Sequence, residues 1–202
     1  MTIFNLTSVP VYQNNTNYVL TANEMAVVKQ FDLQSNDFNY FSNDFNVLDH
    51  PDLADIKQII NSHLLDYQRD VCGIEIQQFY VTDSWIAITP PGGKHIVHNH
   101  PNSLLSGVFY FSVPDHSSIN FYVESQIFKN FKFCFDYTKL TEHNRQTVNV
   151  PIRQSDIVIF PSWVDHSVDI NNSDQERIII GFNCFVQGNF GNNRYPTRLF
   201  LK

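Results

Sequence analysis

Two histidines separated by a single residue, His98 and His100, open the run HNHPNSLLSGVFYF at positions 98–111. On an extended backbone, residues two apart leave the same face. Both imidazoles then aim at one point and form half of a metal site. Pro101, Asn102 and Ser103 make a polar break, and Leu104 to Val113 resumes as an apolar, β-prone run. A second stretch, SDIVIFPSWVDHSV at 155–168, leads an apolar strand into Pro161-Ser162-Trp163 and then His166. That third imidazole can close on the same metal. A third stretch, ERIIIGFN at 176–183, places Arg177 at the head of an apolar strand. The turn residues Asn171 to Asp174 make a hairpin of the His166 and Arg177 strands. Arg177 shares a face with Ile179, Gly181 and Asn183, and Gly181 leaves room there for a ligand. A guanidinium among apolar walls needs an anionic partner, and a bound carboxylate is a natural one.

Each of these residues also has a plainer role open to it. His98 and His100 could be surface or hydrogen-bonded histidines, and His95 a pocket-edge or surface residue. Trp85 and Trp163 read as core or pocket wall, and Tyr110 as core. Arg177 could pair with Glu176 or Asp174, and Cys184 could be a buried small hydrophobe.

The elements that must position these groups are legible in outline. The chain has 202 residues, a net charge of -7 and 43% hydrophobic residues. That fits one domain with a sizeable core, with helical support over about 1–73 and a barrel over about 74–202. The acidic balance argues against a general nucleic-acid or membrane-surface binder. Cys72, Cys134 and Cys184 are odd in number and widely spaced, as in a reducing compartment. With no spanning segment and no signal peptide, the expectation is a cytoplasmic protein.

Thr21-Ala22-Asn23-Glu24 reads as a capping box, with Leu20 and Met25 placed for a hydrophobic staple, opening a helix from Ala22 to Phe31. Phe31 to Asp49 reads as a loop. Leu53, Ile56, Ile60, Leu64, Tyr67 and Val71 recur at helical spacing, which predicts the longest helix over Pro51 to Val71, with Gly73 past its end. After it come strand candidates at 79–89, 94–98, 105–113, 119–123, 147–152, 157–160, 166–170 and 176–185, with an irregular insertion at 124–146. Short strands with helices gathered at the N-terminus predict a mainly β fold, a jelly-roll barrel buttressed by helices.

HxH with PNS and LSG, FPSWxxH, and an Arg leading an apolar strand into FN together resemble a small family of Fe(II)/2-oxoglutarate oxygenases of bacteria and marine phages, over roughly Trp85 to Val186. The resemblance implies a double-stranded β-helix and a dioxygenase that uses Fe(II), 2-oxoglutarate and O2, releasing succinate and CO2. A phage origin would imply the host cytoplasm. It assigns His98, His100 and His166 to iron and catalysis and Arg177 to the far carboxylate of 2-oxoglutarate. Tyr110, Ser106 and Asn183 are candidate co-substrate contacts. Two departures stand out. His100 occupies the usual acid position, with Asp165 the alternative carboxylate, although Asp165 would point the other way. Ile179 occupies the position of a serine that often follows the Arg. A cupin-type metalloprotein without 2-oxoglutarate, or a non-catalytic binding barrel, are the competing readings. The primary substrate is open among a protein side chain, a nucleobase and a metabolite, and a homodimer is compatible. Loops 31–49, 90–95 and 124–146 are expected around the barrel mouth.

Overall fold

The computed structural model describes residues 8–75, 77–123, 136, 138–142, 144–191 and 197–201. Strand β1 (Tyr12–Asn15) precedes helix α1 (Ala22–Val28). The capping box is formed: Thr21 Oγ1 accepts from the Glu24 N–H at 3.1 Å, and the Glu24 carboxylate accepts from the Thr21 N–H at 2.7 Å. The Tyr18 hydroxyl donates to the same carboxylate at 2.7 Å. Leu20 and Met25 both pack against the core. The helix ends at Val28, short of the expected Phe31, because the Gln30 N–H turns back to the Val27 carbonyl and a strand begins at Leu33.

The segment expected to be a loop over Phe31 to Asp49 instead adds a hairpin to a sheet edge. Its strands are β2 (Leu33–Ser35) and β3 (Tyr40–Ser42). The Asn36 side chain accepts from the Phe38 and Asn39 N–H groups, and Asp37 takes a positive φ of 73°. The Asn- and Asp-rich composition therefore marked the turn and hid the short strands beside it. Strand β3 pairs with β4 (Gln78–Thr89), Tyr40 opposite Ile88.

Helix α2 (Ala54–Asp66) follows a 3-10 turn opened by Pro51 and continues into a π-helical turn at Tyr67–Val71. Ile56, Ile60 and Leu64 form its buried stripe. The remaining strands are β5 (His95–His98), β6 (Leu105–Ser112), β7 (Ser118–Tyr122), β8 (Thr147–Pro151), β9 (Asp156–Pro161), β10 (His166–Val168), β11 (Arg177–Phe190) and β12 (Leu199–Leu201). Strands β1 and β12 escaped the sequence reading, and β11 runs beyond the expected Phe185. Cys134 and most of the 124–146 insertion lie outside the described residues.

Two antiparallel sheets make up the jelly roll. The larger has the order β1-β9-β6-β11-β4-β3-β2, with β12 on β11; the smaller is β5-β10-β7-β8. Strand alternation divides the residues between two cores. Ile178, Ile180, Phe182 and Cys184 of β11 join Ile86, Phe109, Phe111 and the helices on one side of the large sheet. Tyr110, Val158 and Phe160 turn the other way, to meet Ile119 and Phe121 of the small sheet. Arg177, Ile179, Gly181 and Asn183 take that second face. No helix among the described residues is long and apolar enough to cross a membrane.

Candidate metal centre

His98 closes β5 and His166 opens β10, and the two are paired across the ladder. Their ring centroids are 4.2 Å apart. Each ring holds its Nδ1 against the carbonyl two residues earlier: His98 on Ile96 at 2.7 Å and His166 on Val164 at 3.0 Å. A proton on Nδ1 makes that bond and frees Nε2 as a ligand atom.

His100 lies just past β5. Its N–H donates to the Ser162 carbonyl at 2.9 Å, tying the HNHPNS loop to the FPSW turn. Its Nε2 stands 3.3 Å from His166 Nε2. Two nitrogens about 2.1 Å from a shared metal, at an angle between square and tetrahedral, would be separated by about this distance. One ligand atom from each of the three histidines lies within 4.8 Å of the others, and no carboxylate joins this cluster among the described residues. The Asp165 carboxylate is engaged elsewhere, accepting from Asn99 Nδ2 at 2.7 Å. Burial first, and then the His98 ring, pushes the pKa of His166 down to about 3 and that of His100 to about 4. Both are neutral at ordinary pH, the state a metal requires. A set of three imidazoles fits a borderline divalent ion such as Fe(II).

Beside the triad lies a cavity of about 60 Å³. Trp85, Thr89, His95, Tyr110, Ile179, Gly181 and Arg177 share its wall. Arg177 is 5% exposed. Its one hydrogen bond among the described residues is a long one, Nη2 to the Asp169 carbonyl at 3.4 Å, and no described carboxylate approaches within ion-pair distance. Burial pulls its pKa down, opposed by Tyr110 and the Asp169 carboxylate. Tyr110 is 2% exposed, and its hydroxyl makes no hydrogen bond among the described residues. Burial pushes its phenol pKa up, partly offset by Arg177. A cation with one long hydrogen bond and no ion pair, and a phenol with no hydrogen bond among the described residues, therefore share the wall of one small space next to three convergent histidines.

The other expected contacts are elsewhere. Ser106 Oγ bonds to Ser162 Oγ and to Asn183 Oδ1, each at 2.8 Å, and Asn183 Nδ2 donates to Asp83 at 2.8 Å. Neither Ser106 nor Asn183 is on the cavity wall. Ser162 also donates to Ser103, so the serines of PNS and FPS are joined. His95, expected at a pocket edge or the surface, is on the wall, with Nε2 3.0 Å from Thr89 Oγ1. Trp163 is neither core nor cavity wall: it is 67% exposed, because the turn after Pro161 sends Val164 inward instead. Loops 31–49 and 90–95 join the Asn171 turn, near Arg177, through the Lys94–Phe38, Gly92–Asn171 and Asn171–Gly93 backbone bonds. The loops that flank the triad are 99–104 and 161–165.

Residues 83–183 match the model of a family described as "Putative 2OG-Fe(II) oxygenase", a span of half the chain. The chain belongs to this family of 2OG-Fe(II) oxygenases. The fold agrees. A 2OG-Fe(II) oxygenase family oxidoreductase from Burkholderia pseudomallei aligns with a TM-score of 0.59 and 11% identity, over 86% of this chain and 83% of the other. HygX from Streptomyces hygroscopicus, crystallised with nickel, 2-oxoglutarate and hygromycin B, aligns at 0.57 and 12%, over 87% and 82%. A Pseudomonas putida prolyl-4-hydroxylase aligns at 0.55 and 13%, over 87% and 92%. At such identities the likeness is one of fold. A search of curated proteins found no match. The oxygenase is thus an oxidoreductase whose histidine triad and unpaired Arg177 occupy the space between its two sheets.

Proposed function

We propose that this oxygenase hydroxylates a still unidentified substrate, holding Fe(II) with His98, His100 and His166 and 2-oxoglutarate with Arg177 and Tyr110. Iron and 2-oxoglutarate supply the oxidation, with succinate and CO2 as the products of the keto acid. The chain's own part is to bind and orient. Three neutral imidazoles on one side of an ion leave its remaining positions open. They also leave its double positive charge intact, which a dianionic keto acid neutralises.

The observation that carries this reading is the pair of Arg177, which has no ion pair, and Tyr110, which has no hydrogen bond among the described residues, on the wall of the cavity beside the triad. A buried guanidinium without a counter-ion is costly. A carboxylate offers it a paired, charge-assisted contact, and the phenol can donate to the same group. A keto acid entering the cavity meets Arg177 and Tyr110 on its wall. Water is thereby displaced from around the buried charge.

The test is an anaerobic titration of the Fe(II) protein with 2-oxoglutarate. A visible charge-transfer band should grow to saturation in the wild type and need far more 2-oxoglutarate in Arg177→Ala, with iron content equal in both. Equal affinity in the two proteins would sink the proposal.

A further inference from the structure

We infer that Asn183, expected at the co-substrate, is a positioning residue for the metal ligand His100, acting through a hydrogen-bonded brace that runs from Asp83 to Ser162; this rests on the reading of His98, His100 and His166 as the iron ligands. The three histidines are not held alike. The rings of His98 and His166 are pinned through Nδ1 to the carbonyls of Ile96 and Val164. Among the described residues, the ring of His100 makes no hydrogen bond besides its contact with His166, and it leans on Trp85. His100 also lies between β5 and β6, so its place depends on what holds the 99–104 loop. Ser162 holds that loop at two points. Its carbonyl accepts from the His100 N–H at 2.9 Å, and its N–H donates to the Leu104 carbonyl at 3.1 Å.

Asn183 reaches Ser162 through a single intervening side chain. It sits in the middle of three paired strands, directly opposite Asp83 on β4 and Ser106 on β6. Its Nδ2 donates to Asp83 at 2.8 Å, and its Oδ1 accepts from Ser106 Oγ at 2.8 Å. A carboxylate only accepts, so Asp83 decides which way the amide is turned and leaves Oδ1 for the serine. Ser106 Oγ in turn meets Ser162 Oγ at 2.8 Å, and both serines are buried. A buried hydroxyl left without a partner is costly, so these contacts hold one another in place. Strand β4 acts on His100 twice. Trp85, two residues on from Asp83, shares its face and flanks the His100 ring at 5.5 Å. Loss of the amide loosens Ser162, and with it the 3.3 Å approach of His100 Nε2 to His166 Nε2.

The probe is Co(II), whose visible absorption bands report the number and geometry of its ligands, titrated into the metal-free protein without oxygen. Disturbing the outer partners of a ligating histidine costs about tenfold or more in metal affinity. Asn183→Leu should therefore weaken Co(II) by about that factor and shift its bands. Asn183→Asp sets two carboxylates face to face and should weaken it comparably. The double variant Asn183→Asp with Asp83→Asn exchanges the two groups and keeps the charge. The new carboxylate accepts from Ser106 and the new amide donates back to it, so affinity and bands should return close to those of the wild type. Melting temperatures of the metal-free proteins are recorded alongside. A lower melting temperature in Asn183→Leu with wild-type affinity and bands makes the brace merely structural and overturns the proposal. A double variant as weak as Asn183→Asp overturns it too, and this comparison carries the test if Asn183→Leu does not fold. Wild-type Co(II) affinity in His98→Ala and His100→Ala removes the ligand set itself, which is a separate failure.

Discussion

Gly181 and Trp85 are packed so closely that the glycine has no space for a side chain. A Cβ built on Gly181 would stand 2.6 Å from two indole carbons of Trp85. Gly181 lines the cavity, as its place on the ligand-facing side of the strand predicts, and the indole fills the spot its Cβ would take. The ring lies 5.5 Å from that of His100 and tilts 35° to it, so it forms one wall of the metal centre. Gly181→Ala should push the indole toward His100 and weaken metal binding, with a loss of stability of about 1–3 kcal/mol. Tryptophan fluorescence and a metal titration check it. Gly107→Ala would set a Cβ 2.1 Å from the fully buried Phe182 ring and should cost more stability. Gly181→Ala with wild-type metal affinity and fluorescence would show that the wall does not depend on this fit.

The ligand set separates by substitution. His98→Ala and His166→Ala should each lower Fe(II) affinity by more than about 100-fold, beyond what loss of an outer hydrogen bond costs. His100→Asp keeps a donor at the same place and should retain iron. Asp165→Asn should retain it too, because that carboxylate is turned to Asn99. Iron content by mass spectrometry decides, and metal loss in Asp165→Asn with retention in His100→Ala would reverse the assignment.

The joined serines make a prediction about the two loops. Ser162 is fully buried, with its hydroxyl between Ser103 and Ser106. Ser162→Ala should cost about 0.5–1.5 kcal/mol, because Ser103 keeps its bonds to the Leu105 and Cys184 carbonyls and Ser106 its bond to Asn183. Ser162→Thr, which keeps the hydroxyl but adds a methyl to a packed site, should recover only part. Thermal melts of the three proteins are enough to check this.

At high pH the tyrosines of the helical layer should report. Burial first, then its hydrogen bond to Glu24, raises the Tyr18 pKa to about 12, and burial raises that of Tyr67 to about 12. The unfolded chain ionises these groups near 10, so between about 10 and 12 the folded state holds more protons. Stability is then intact below 10 and falls as pH rises through that window. Tyr18→Phe should flatten the fall measured by melting temperature, and an unchanged slope would remove Tyr18 as a contributor.

How much of this was legible follows from what periodicity carries. The α2 stripe, the capping box at Thr21, the strands around the triad and the shared face of His98 and His100 declare themselves through local spacing, whereas His166 joins them through the motif order that carries the family resemblance. Register between distant strands is not local. That Thr89 faces Arg177, or that Ser162 meets Ser103, depends on how β4, β11, β6 and β9 align, and no single stretch records it. The hairpin at 33–42 was missed because short edge strands carry polar residues, and Trp163 because an aromatic in a motif invites an inward reading.

Arg177 borders more than one space. Arg177 also lines an open cleft of about 580 Å³ between residues 113–118 and 169–175, where Asp115, Asp169 and Asp174 gather. Arg177 itself is 5% exposed, so electrolyte in that cleft comes near the charge without reaching it. Mobile ions in the cleft, within a Debye length of about 8 Å at physiological salt, can therefore screen a charge that no bulk ion touches from within. On the proposed reading, in which Arg177 anchors 2-oxoglutarate, the co-substrate's affinity inherits an ionic-strength dependence through the back of that anchor.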